Sequence, residues 1–119
     1  MSTLDQYTEV KRYFSPKYRG MIVIAQEGVQ LLHRLEDDDW KVLRRKKENV
    51  LIEEWLNNRK QEMANRPAWA LDVQELPSME QLEEWLSDGQ CETPTGHEVE
   101  PDGHGPDGSP SWLLALGLI

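Results

Sequence analysis

The sequence predicts an α-rich α+β fold: a small helical domain with one long central helix, a short β-hairpin, and an acidic, flexible C-terminal tail. Three observations carry that expectation. Between Asp39 and Arg66, Trp40, Leu43, Val50, Leu51 and Trp55 fall within one arc at about 100° per residue, with Ile52, Leu56 and Met63 on a second flank. The run Met21-Ile22-Val23-Ile24-Ala25 is β-branched and bounded by Gly20 and Gly28, which favours a buried strand. From Asp88 to Pro110 the chain turns to Gly, Pro, acids and small polar residues, a composition with too little apolar surface to offset the entropy of ordering.

Taken in order, Ser2-Thr3-Leu4-Asp5 has the form of a capping box, and Leu4, Tyr7, Val10 and Phe14 recur at helical spacing. A first helix over about 3–14 follows, ended by Ser15-Pro16, because proline removes a donor and forces its predecessor out of helical geometry. A hairpin over 21–35 reverses at Glu27-Gly28, although Val29, Leu32 and Leu35 also fit a helix. His33 has no partner in this stretch and reads as structural. Glu36 to Asp39 supplies four acids before the central helix over 39–66, where its positive dipole end favours them. Pro67 closes that helix. A third helix over 79–87 starts at the capping form Ser78-Met79-Glu80-Gln81 and stops before Gly89. Glu53-Glu54-Trp55-Leu56 returns as Glu83-Glu84-Trp85-Leu86, one recipe used in two helices rather than a repeat architecture.

The domain plan is therefore a helical domain over 1–87, an acidic Gly/Pro-rich linker over 88–110, and an apolar segment over 111–119. In that last segment seven of nine residues are apolar, enough to seek cover against the chain itself or a partner. Trp112, Leu113, Leu116 and Ile119 are accordingly candidate partner-binding residues, joined by Trp69 and Trp85, since five tryptophans exceed what a small core readily encloses.

The net charge of −9 is sharply divided. Every one of the 13 Lys and Arg lies in residues 1–66, leaving that part at +2 and the remainder at −11. Arg44-Arg45-Lys46-Lys47 is the candidate basic patch. On a helix these four splay around the axis, and the acidic chain repels nucleic acid at long range, so nucleic acid is not the expected partner. Anionic membrane is disfavoured by the same charge, and no apolar run approaches the roughly 20 residues needed to span a bilayer.

No metal or other cofactor is expected. Cys91, His97 and His104 are spaced C-x5-H-x6-H, which matches no usual zinc site. The lone cysteine excludes an internal disulfide and fits a reducing compartment, so the expected location is cytoplasmic, with nuclear entry through Arg44 to Lys47 as an alternative. No nucleophile elbow, phosphate-cradling glycine loop or paired metal-ligand motif supports catalysis. The function expected is a small non-enzymatic regulator or adaptor acting through a protein partner, such as an inhibitor or host-factor modulator of the kind compact genomes encode. The alternatives are a transcriptional modulator with an acidic-hydrophobic activation segment, and a structural assembly subunit or chaperone, for which homo-oligomerisation is compatible.

Overall fold

The run Met21 to Ala25 sets the architecture. In the computed structural model, which describes residues 2–119, all six residues of β2 (Gly20–Ala25) are buried. A strand with no exposed face needs cover on both sides and a partner on each edge. β1 (Glu9–Ser15) and β3 (Val29–Arg34) take those edges antiparallel, and β4 (Lys41–Arg45) pairs outside β3, giving a four-stranded meander. Gly28, at φ 82°, makes the β2–β3 reversal that a side chain would strain. The chain continues through α1 (Ile52–Ala64), α2 (Ala68–Leu71), α3 (Met79–Asp88), a ribbon of β5 (Cys91–Glu92) and β6 (Glu98–Val99), and α4 (Trp112–Ala115).

Side-chain alternation divides the core between the two faces of the sheet. Tyr13, Ile22, Ile24 and Leu32 pack with Trp55 and Met63, so α1 covers one face. Phe14 and Met21 pack on the other face with Val73, Leu82, Trp85, Trp112 and Leu113. Val23, Ala25, Val29 and Leu31 are covered by Leu4, Tyr7, Trp40 and Val42. Among the described residues no helix is long and apolar enough to cross a membrane.

The helix-rich fold with a long central helix is thus corrected to a mixed one. The helix expected over 3–14 is a 3₁₀ turn at Thr3–Gln6 followed by β1, because β2 requires an edge partner and that demand outweighs local spacing. The helix expected over 39–66 is likewise two elements: β4 completes the sheet, and the helix starts only at Ile52. Trp40 and Val42 then face one side of the sheet and Leu43 the other, so their common helical arc has no counterpart. The acids before β4 also act elsewhere. Asp37 accepts from the Arg34 backbone N–H at 2.9 Å, and Asp39 accepts from both the backbone N–H and the hydroxyl of Thr3, at 2.9 and 2.7 Å. They fasten the β3–β4 turn and the N-terminal segment. The region 79–87 is helical: Ser78 Oγ accepts from Gln81 N–H at 3.1 Å, and Gly89 ends α3 in the left-handed conformation.

The linker expected over 88–110 is not a flexible tail. It folds around the buried polar side chains of Thr93 and Ser109, with Ser111 just beyond it equally enclosed, while Cys91 and Val99 join the apolar cluster under the sheet. Asp107 accepts from the Ser109 hydroxyl at 2.5 Å, the Thr95 hydroxyl at 2.7 Å and the Ser109 N–H at 3.1 Å. Ser111 Oγ donates to the Pro101 carbonyl and accepts from Leu114 N–H at the start of α4. Composition alone misreads this segment, because hydrogen bonds between neighbouring turns supply the order that apolar burial lacks.

Those hydrogen bonds, led by the Ser109 hydroxyl, lower the Asp107 carboxyl to about 2 from 3.8. A carboxyl depressed on folding contributes stability above its unfolded pKa, and that contribution is lost as pH falls through the folded value. The loop should therefore loosen as pH drops from near 3.8 toward about 2. In thermal melts over this window, Asp107→Asn should show a shallower acid dependence than the parent chain.

Candidate anion-binding clefts

The β1–β2 turn carries three exposed or half-exposed residues, Lys17, Tyr18 and Arg19, between Pro16 and Gly20. Tyr18 N–H bonds to Ser15 Oγ at 3.3 Å, and the Tyr18 carbonyl accepts from Arg34 Nε at 3.1 Å, so the turn is tied to the end of β3. Lys17 Nζ stands 5.3 Å from the centroid of the Tyr18 ring and the Arg34 guanidinium carbon 5.9 Å from it, distances at which a cation is attracted to an aromatic face. Two hollows adjoin at this turn, and Lys17 and Tyr18 line both.

The first cleft, about 200 Å³, opens between the sheet face under α1 and that helix's C-terminal end. Gln30 and Arg44, cross-strand neighbours on β3 and β4, enter it from the sheet; Arg66 and Glu62 enter from the helix side. Tyr13, only 2% exposed, also lines it. Burial pushes the Tyr13 hydroxyl's pKa up, against the opposing charge of Arg66, so the group stays a neutral phenol at physiological pH. Gln30 Oε1 and Arg66 Nε are buried without a hydrogen-bond partner among the described residues. An acceptor and a donor left unpaired beside one hollow carry a desolvation cost that a bound group would relieve.

The second cleft, about 430 Å³, places Arg19 and Arg34 with Lys17 against an apolar wall of Leu116 and Leu118. Together the clefts collect Lys17, Arg19, Arg34, Arg44 and Arg66 against two acids, Glu36 and Glu62. Glu62 is shared, lying 3.6 Å from Arg44 and 3.0 Å from Arg59, so it cannot neutralise either fully. On a chain of net −9 this is a strongly cationic face. Its donors and positive charges suit it to hold oxyanions.

The expected site residues are distributed differently. Of the basic patch Arg44 to Lys47, only Arg44 reaches a cleft. Arg45 extends to the Tyr7 hydroxyl at 3.5 Å, Lys46 Nζ donates to the Lys47 and Val50 carbonyls at 3.1 and 2.8 Å, and Lys47 is exposed. A β-strand edge followed by a turn sends the four side chains in separate directions, so they do not form one patch. Among the residues expected to bind a partner, Trp112, Leu113, Leu116 and Trp85 are core residues, packed with Phe14 and Met21. Trp69 is half-buried, its ring 6.0 Å from that of Phe14, and Ile119 is exposed. The described residues contain no group of three or more His, Cys, Asp or Glu arranged to hold a metal ion.

Sequence reading missed Tyr13, Lys17, Tyr18, Arg19, Gln30, Arg34 and Arg66. Most are far apart in the chain and converge only through strand pairing. The one readable signal was Gln30, a polar residue inside the apolar run Val29 to Leu32. Comparison of the chain with protein-family models, curated proteins and solved structures returns no match.

Proposed function

We propose that the chain is a small non-enzymatic adaptor or regulator that binds a protein partner through an acidic segment laid across the two clefts. The observation that carries this reading is the convergence of five cations on adjoining hollows of an otherwise acidic molecule. Such a face attracts a group seated in it, while the acidic surface around it repels an extended polyanion that comes within about one Debye length, roughly 8–10 Å at ordinary salt. A short acidic peptide carried by a folded partner meets the first condition without the second. The aromatic and aliphatic walls, Tyr18 with Leu116 and Leu118, would cover its apolar atoms.

Lys17 is the residue to test, because it is exposed and lines both clefts. Lys17→Glu removes one attraction and adds one repulsion, so affinity for a fluorescein-labelled acidic peptide should fall about tenfold or more, with the melting temperature unchanged. Fluorescence anisotropy at two salt concentrations reads this directly. Equal affinity for the two proteins would refute the assignment of the face.

A further inference from the structure

The unpaired acceptor and donor in the smaller cleft are complementary to one chemical group, and that complementarity narrows the partner segment. We propose that this cleft receives the carboxyl terminus of the partner's acidic segment, with the last residue's N–H donating to Gln30 Oε1 and its carboxylate taken by Arg66 and Arg44. The inference rests on the protein-partner reading above and specifies which end of the segment enters.

Gln30 Oε1 is a buried acceptor and needs a donor; Arg66 Nε is a buried donor and needs an acceptor. An acidic side chain alone brings only acceptors. A terminal residue brings an amide N–H and a carboxylate on the same Cα, so it can answer both. The neutral Tyr13 phenol supplies a further polar group in the same hollow, and Asn65 stands at the rim. At about 200 Å³ the space suits one residue rather than a drug-sized ligand. The preceding residues would then leave past Lys17 and Tyr18 into the larger cleft, where Arg19 and Arg34 meet acidic side chains. An N-acylated amino acid offers the same pair of groups as a chain terminus, without the upstream acids.

The test compares three probes on the full chain by isothermal titration calorimetry: N-acetyl-Asp-Glu-Asp-Ala with a free carboxylate, the same peptide amidated at its C-terminus, and N-acetylalanine. The free-acid peptide should bind at least tenfold more tightly than its amide and more tightly than N-acetylalanine. Gln30→Leu should weaken acid and amide alike, because the N–H that Gln30 accepts is common to both, whereas Arg66→Gln should narrow the gap between them; both variants are checked for folding by near-UV circular dichroism. Lys17→Glu should weaken acid and amide by the same factor. Equal binding of acid and amide by the parent chain would overturn the terminal-carboxylate assignment while leaving the acidic-partner reading in place. Binding of N-acetylalanine as tight as that of the peptide would overturn the macromolecular source in favour of a small metabolite. No binding of either peptide at millimolar concentration would overturn both proposals.

Discussion

Trp112→Ala should lower the stability of the chain by about 3–5 kcal/mol, the range for emptying a buried large aromatic site. Trp112 is 6% exposed, and its ring meets that of Phe14 edge to face at 5.3 Å, in the cluster that also holds Leu82, Trp85 and Leu113. The loss is a large part of the roughly 5–15 kcal/mol that separates folded from unfolded states in domains of this class. A fall in melting temperature of roughly 10–20 °C follows from the scaling of small domains. Ile119→Ala is the control, because Ile119 is 54% exposed and its truncation should change stability by no more than about 0.5 kcal/mol. Were the C-terminal segment a free docking motif, Trp112→Ala would leave the melt unchanged and abolish only partner capture. Thermal unfolding by circular dichroism separates the two outcomes.

Gln30→Leu should act in the opposite direction. Its side-chain oxygen is buried on the sheet face that also carries Ile24 and Leu32, and no partner among the described residues satisfies it. Replacing an unsatisfied buried amide with an apolar side chain of similar size removes a desolvation cost of about 1–3 kcal/mol. The substituted chain should therefore gain stability of that order, visible as a higher denaturant midpoint with an unchanged slope. Stabilisation combined with weaker peptide binding would identify Gln30 as a residue whose cost to the fold is offset by binding. A loss of stability would mean that the glutamine supports the fold, and the cleft would lose its principal recognition group.

Legibility in the sequence varied with how local each determinant was. The strand at Met21 to Ala25 was readable because β-branched residues between two glycines leave little else open. The helix beginning after Ser78 was readable because its cap and its terminating glycine are adjacent in sequence. β1 and β4 were not, since their identity comes from edges they satisfy on other strands: Tyr13 pairs with Ile22, and Gln30 with Arg44. Helical spacing of apolar residues around Leu4 to Phe14 and Trp40 to Trp55 was real, but Leu4, Tyr7 and Phe14 serve one face of the sheet from a 3₁₀ turn and a strand, while Trp40 and Leu43 pack on opposite faces. The acidic C-terminal stretch misled for a different reason. Its order comes from hydroxyl and carboxylate hydrogen bonds such as Thr95 to Asp107 and Ser111 to Pro101, which composition does not register. The clefts were the least legible feature: Arg44 was flagged for its neighbours in the chain, whereas Arg19, Arg34 and Arg66 acquire meaning only where the β1–β2 turn meets β3 and the end of α1.

Chemical-shift mapping of the ¹⁵N-labelled full chain during titration with N-acetyl-Asp-Glu-Asp-Ala probes the cationic face most directly. The account predicts that the largest backbone and side-chain shifts cluster at Lys17, Tyr18, Arg34, Arg44 and Arg66, with the Gln30 side-chain amide among them. Shifts confined to residues outside both clefts, such as the exposed Ile119, Met79 and Leu86, or an unperturbed spectrum at millimolar peptide, would contradict it.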